Sequence, residues 1–145
     1  MTPKLPVSVL VVVHTAEREV LLLERAMRAG FWQSVTGSLD RLDEPLEAAA
    51  AREVLEETGI DARDGNLERC NLVYTFEIYP QWRHRFAPGV VQNVEHAFSL
   101  RLPKRREVRM APDEHVAFTW LPWRDAAAKC FSWSNRDAIA MLGEE

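Results

Sequence analysis

The stretch from Gly37 to Ile60, GSLDRLDEPLEAAAAREVLEETGI, constrains the fold more than any other part of this 145-residue chain. It holds a helix whose packing face turns acidic. Residues three and four apart share a side of a helix, so Glu53, Glu56 and Glu57 converge on one patch. Leu46, Ala49 and Ala50 occupy the same angular sector one or two turns earlier, the sector an amphipathic helix buries. Like charges at these spacings repel by about 0.2–0.5 kcal/mol per pair, and they crowd the helix C-terminus, where the macrodipole disfavours anions. A positive partner is expected against this face. Oxygen donors, with no His or Cys in the helical cluster, suit a hard divalent cation such as Mg²⁺ or Mn²⁺. An isolated E-x-x-E-E run on its own would read as a solvated acidic helix face, so the surrounding chain has to decide.

The helix is predicted over Asp43 to Thr58, with Asp43 as its N-cap and Pro45 in the first turn, where a missing amide proton costs little. Gly59 suits a left-handed C-cap followed by an apolar contact from Ile60. Upstream, Val7 to Val13 is too short to span a membrane, and its β-branched content reads as a central strand. A turn at Thr15 to Arg18 leads to a strand over Glu19 to Glu24, and a short third strand covers Trp32 to Val35. Beyond the helix, Leu67 to Tyr79, Val90 to Leu102 and His115 to Leu121 alternate as strands do. A loop rich in Pro, Arg and aromatics fills Pro80 to Gly89, and Pro103 to Pro112 is charged and expected to be exposed. Trp123 to Lys129 and Asn135 to Leu142 read as helices, the second opened by a capping box from Ser134 and Asp137.

Composition narrows the function classes without choosing one. The chain has a length and apolar content (47%) that fit one domain over residues 1–145 with a real core. A net charge of −4 and a pI near 5.6 argue against nucleic acid and membrane surfaces as partners. A small molecule is the expected ligand, and nothing in the sequence sets an oligomeric state. Cys70 and Cys130, far apart and without a charged-then-apolar leader before Pro3, fit a reduced cytoplasmic protein with both thiols buried.

Arg52 to Ile60 spells REVLEETGI, which resembles the core of the box that defines the Nudix hydrolases. That family's upstream Glu matches Glu44, and its leading Gly matches Gly37. Six residues separate the two here where the family pattern has five: either the loop Ser38 to Asp43 carries a one-residue insertion or Asp43 replaces the usual Glu, and the insertion is preferred because it leaves the helix register intact. The resemblance implies an α/β fold, an α/β/α sandwich around a mixed β-sheet. It also implies that Glu53 and Glu57 bind the divalent metal, with Glu56 beside them as a further ligand or water-activating group, and that Arg52 holds one of these carboxylates in place. Gly59 and Arg52 would be structural.

Several other stretches are similar to one group within that family, the bacterial dihydroneopterin triphosphate diphosphatases. They are FWQSVTGS from Phe31, WRHRFAPGVVQNVEHAF from Trp82, DEHVAFTWL from Asp113 and SWSNR from Ser132. This likeness adds Glu114 to the metal ligands and possible bases, and offers Lys4, Arg25 and Thr36 to the phosphates, Arg25 as a fork-shaped clamp. Phe76, Glu77, Ile78 and Tyr79, together with Ser132 to Asn135, would meet the pterin. Trp32, Trp82 and Trp133 stand near binding loops, whereas Trp120 and Trp123 are assigned to packing. Arg83, His84 and Arg85, between Trp82 and Phe86, are placed to gather around a triphosphate or a ring. His115 is left as a structural hydrogen-bonding residue.

The implied reaction is Mg²⁺-dependent hydrolysis of dihydroneopterin triphosphate to its monophosphate and pyrophosphate, a folate-pathway step. The base that takes the water proton would be Glu56 or Glu114. Two other functions use the same residues: a nucleotide-pool pyrophosphohydrolase acting on (d)NTPs or damaged nucleotides, and a non-catalytic nucleotide-sensing module. The three box glutamates weigh against the last.

Overall fold

The strand at the centre of the fold, β1 (Val7–Thr15), is almost wholly buried and apolar on both faces, so it needs cover from two sides. In the computed structural model, which describes residues 2–143, it has that cover. It pairs in parallel with β6 (Gln92–Leu102) and antiparallel with β2 (Glu19–Arg25) and β4 (Val35–Ser38). The short β3 (Trp32–Gln33) and β7 (His115–Pro122) both pair with β2, and β5 (Asn66–Glu77) pairs with β6, giving a seven-stranded mixed sheet.

Alternation along β1 divides the core into two layers. Val9, Val11 and Val13 join Phe98, Leu100 and Leu102 against Ala49, Ala50 and Val54 of α1 (Leu46–Thr58). Leu10 and Val12 face Ala126 of α2 (Trp123–Lys129) and Ala138 and Ile139 of α3 (Trp133–Gly143). The result is the expected α/β/α sandwich. No helix of the described residues is long and apolar enough to cross a membrane.

Local details depart from the sequence reading in instructive places. The third strand is two strands separated at Ser34, whose N–H donates 2.8 Å to the Asn135 side chain instead of to a neighbouring strand. The helix starts at Leu46 with Pro45 as N-cap, and Asp43 caps nothing because Arg41 holds its carboxylate at 3.0 Å. The capping hydroxyl of α3 is Ser132, which accepts from the Asn135 N–H at 3.3 Å; Asp137 is taken by the Tyr74 hydroxyl at 2.7 Å, so the Ser134–Asp137 box does not form. The loop after β5 contains a 3₁₀ turn at Pro80–Arg85. Cys130 is buried but Cys70 is only partly so, because β5 is an edge strand with an irregular register between Arg69 and Val73.

Two further placements bear on the helix. Val108 and Met110, in the segment expected to be exposed, pack against the α1-side core, and the Arg109 N–H donates 2.7 Å to the Thr58 carbonyl at the helix end. Gly59 does adopt the left-handed conformation (φ 74°), its N–H closing on Leu55 O at 2.9 Å, and Ile60 is buried behind it. Trp120 packs against the α1-side core and Trp123 against the α2/α3 side, as assigned.

Candidate metal and triphosphate site

Where β1 begins, β4 ends and β5 runs out, the sheet opens on a cavity of about 870 Å³. Most residues the sequence assigned to metal or substrate line it: Glu53, Glu56, Glu57 and Glu114; Lys4, Arg25 and Thr36; Phe76, Glu77, Ile78, Tyr79 and Ser132. They arrive from α1, the N-terminal segment, three strands, the segment before β7 and the turn into α3. Its size matches a small-molecule site.

The acids do not form one equivalent trio. Glu53 and Glu57 continue the Ala49 and Ala50 stripe and are buried, Glu57 to 1% exposure. Glu56 points away: its carboxylate is 56% exposed and pairs with Arg52 at 3.3 Å. A helix turns by about 100° per residue, so Glu56 and Glu57 cannot share one direction. The expectation that all three converge is corrected to two facing inward and one on the rim.

Arg52 organises the inner end of the site. Its guanidinium donates to Glu44 at 2.9 and 3.1 Å, to Glu53 at 2.8 Å and to the Ser38 carbonyl at 3.1 Å. These bonds hold the Glu44 carboxyl below its usual range and tie α1 to β4. Glu44, not Asp43, is the acid on Arg52, in keeping with an extra loop residue before it. Gly37 lets the Glu53 carboxyl come close: a Cβ there would lie 2.1 Å from the Glu53 carboxyl carbon and force it to shift.

The strongest electrostatic frustration sits at Glu57. Burial first, then the charges of Glu53 and Glu114, push its pKa well above the ordinary carboxylate range, and burial does the same to Glu53 against the opposing pull of Arg52. Glu57 Oε2 has no hydrogen-bond partner, and Oε1 lies 3.5 Å from His115 Nε2. Burial lowers the His115 pKa to about 4, with Arg25 adding to the effect, so the imidazole is neutral at pH 7. Glu57, Glu114 and His115 each bring one ligand atom to within 4.8 Å of the others. Two carboxylates, one of them with an orphaned buried oxygen, beside a neutral imidazole suit a divalent cation.

His115 is the member of this group that sequence reasoning kept apart. Its proximity arises because β7 pairs with β2 and sets His115 opposite Arg25, a long-range register that no local pattern announces. Arg25 lies 4.7 Å over the Trp82 ring and donates 3.4 Å to Gln33. Lys4 stands at the exposed rim, where crowding by the surrounding protein and then the charges of Arg85 and Arg25 pull its pKa down. Lys4, Arg25 and Arg85 thus form a cationic cluster facing the acids. Arg83 instead donates to the Ile78 carbonyl at 2.9 Å, and neither it nor His84 lines the cavity. Of the three tryptophans assigned to binding loops, Trp82 and Trp133 line it, whereas Trp32 packs under α2 beneath Lys129.

Sequence reasoning also passed over buried polar residues lining the cavity: Ser8, Asn93 and Glu95. The signal was present in QNVEHAF, where Asn93 and Glu95 occupy alternate positions that a buried strand fills with apolar side chains.

The sequence profile of the NUDIX domain family matches residues 4–142. The dihydroneopterin triphosphate diphosphatase of Escherichia coli K12 is 46% identical over 139 residues, covering 94% of this chain and 91% of that protein. The enzyme of the same name from Haemophilus influenzae is 36% identical over 135 residues, covering 91% and 84%. The solved structure of the E. coli dihydroneopterin triphosphate pyrophosphohydrolase superposes with a TM-score of 0.91 at 44% identity over 99% of both chains.

Proposed function

The chain belongs to the NUDIX domain family, and we propose that it is a divalent-metal-dependent diphosphatase that splits dihydroneopterin triphosphate into dihydroneopterin monophosphate and pyrophosphate. The observation that carries this reading is the pairing of 46% identity to the E. coli enzyme over 94% of this chain with one cavity that joins an acid cluster, a cationic cluster and an aromatic, polar wall.

In this reading Glu53, Glu57 and Glu114 hold the cation, Mg²⁺ first and Mn²⁺ as its substitute, with His115 bracing Glu57 and Glu56 at the rim. The cation supplies charge neutralisation of the phosphates and an activated water. Arg52 keeps Glu53 and α1 in position. Lys4, Arg25, Arg85 and Thr36 take the triphosphate oxygens, and Arg25, over the Trp82 ring, presents the fork suited to them. One water adds across the α–β anhydride, its oxygen bonding to phosphorus while the bridging P–O bond breaks. Its proton goes to a nearby carboxylate; Glu114, inside the Glu57 cluster, suits this better than Glu56, which faces solvent and Arg52. Phe76, Tyr79, Trp82 and Trp133 give the flat ring its stacking surfaces.

Turnover of dihydroneopterin triphosphate and of the four common dNTPs, read as pyrophosphate against orthophosphate under Mg²⁺, tests the assignment. Preferred release of pyrophosphate from the pterin is expected, and a clear preference for dNTPs removes the substrate. Glu57→Gln and metal chelation are each expected to abolish most of the rate; a background untouched by both would mean a binding module.

A further inference from the structure

On the cavity wall away from α1, a set of buried hydrogen-bond acceptors is left without donors. Register and alternation place them. Even-numbered residues of β1 face the α2/α3 layer, and Ser8 is aligned with Glu95 of β6, so Glu95 and its alternate neighbour Asn93 face that layer too. Tyr74 and Phe76 of β5 are opposite Glu95 and Asn93 and complete the row. Asn93 donates its amide to Ser8 Oγ at 2.8 Å, which leaves its Oδ1 unpartnered. Glu95 is 5% exposed, lines the cavity, and has one carboxylate oxygen with no partner. No Lys, Arg or His is hydrogen-bonded or ion-paired to it among the described residues.

Such an arrangement is costly in an empty site. A buried carboxylate without a cation or donor is among the least favourable groups a protein can keep, and an unpaired amide oxygen adds to it. Burial lifts the Glu95 pKa to about 7, and its interaction with Ser134 offsets only part of that. A ligand that presents donors and carries no acceptor at the same place would compensate the ionised form.

We propose that Glu95 and Asn93 form the subsite that reads the donor edge of the ligand's ring, with Glu95 accepting from an exocyclic amino group and the adjacent ring N–H and Asn93 Oδ1 accepting the second amino hydrogen. This rests on the diphosphatase reading and deepens it. The edge of a 2-amino-4-oxopyrimidine, shared by pterin and guanine, offers three N–H donors side by side, and a carboxylate takes two of them in a bidentate pair. Adenine, cytosine and thymine present no such trio. Phe76 and Trp133, the latter half-exposed, flank the acceptors and supply faces for the ring. The subsite thus selects among triphosphates by their ring, at a place remote from the metal cluster in the chain and on the opposite face of the sheet from α1.

The probe is the ring alone, without phosphate or chemistry. Binding of neopterin, and of the matching lumazine with a 2-oxo group in place of the 2-amino group, is followed by fluorescence for the parent and for Glu95→Gln. The parent is expected to favour neopterin by on the order of tenfold or more, the loss typical of an unmade charged hydrogen bond. Glu95→Gln, which replaces an acceptor by a donor, is expected to erase that preference. For dihydroneopterin triphosphate the same variant should raise KM on the order of tenfold and leave kcat within about threefold. Glu95→Asp, which keeps the charge but withdraws it, repeats the test should the amide variant not fold. A parent that does not distinguish the two rings, or a Glu95→Gln protein that still does, overturns the subsite while pterin turnover by the parent stands. A parent that prefers dNTPs overturns the substrate reading itself.

Discussion

Gly37→Ala isolates how closely the carboxylate proposed to hold the metal must be placed. Gly37 has no positive φ, so alanine meets no backbone penalty, and replacing glycine in a compatible conformation commonly adds about 0.4–1 kcal/mol of stability through the unfolded chain. The nearest obstacle is the Glu53 carboxyl, 2.1 Å from the new methyl, where ordinary contact begins at 3.4 Å. The carboxyl must retreat by about 1.3 Å, and a misplacement of about 1 Å in a reacting constellation costs roughly 10²-fold in rate. Gly37→Ala is therefore expected to keep its Tm within a few degrees while pyrophosphate release under saturating Mg²⁺ falls about a hundredfold. Shortening the acid by one methylene, about 1.5 Å, matches the space lost. Gly37→Ala combined with Glu53→Asp should be more active than the product of the two single effects. An undiminished rate in Gly37→Ala, or strict additivity in the pair, refutes the claim that Glu53 is positioned by the absence of a side chain at Gly37.

Two other perturbations probe the surroundings of the site. Arg52→Ala strands the nearly buried carboxylates of Glu44 and Glu53; because Arg52 is itself a fifth exposed, the loss should be about 2–3 kcal/mol, below the range for fully buried pairs, and Tm should drop on the order of 5–10 °C, with Arg52→Lys in between. Glu95 binds its proton more tightly in the fold, with a pKa near 7 against 4.5, so the native state holds more protons than the unfolded state across that window and stability falls as pH rises through it. Ligand-free Glu95→Gln should match the parent near pH 4 and exceed it by on the order of 3 kcal/mol at pH 8 in chemical unfolding; equal pH dependence in both would mean that the carboxylate is not isolated.

The parts of the fold that were legible in the sequence are those governed by neighbours in the chain. The apolar run of β1, the stripe through Ala49 and Ala50 and the Gly59 cap all follow from spacing within about fifteen residues. The errors occurred where a side chain had two possible partners and the tertiary structure chose. Asp43 went to Arg41 and not to a helix N-terminus, and Asp137 went to Tyr74 across 63 residues and not to a capping box. Ser34 left the ladder because Asn135, 101 residues away, supplied its acceptor.

The candidate site was legible as a list and not as an arrangement. The acids named from motif resemblance meet in one cavity with most of the cations and aromatics, Arg83, His84 and Trp32 excepted, but their ranking inside it depends on directions that only the fold fixes. Glu56 and Glu57 are adjacent in sequence and differ more than any two acids of the site: one is open to solvent on Arg52, the other is sealed beside His115 with an oxygen unpartnered. Glu95 shows the same limit from the other side. In sequence it is one polar letter in an alternating strand, and an exposed edge would have made it unremarkable. Because β1 and β5 flank β6, that letter is enclosed on both sides, and enclosure turns an ordinary carboxylate into a group whose cost has to be offset by what the protein binds.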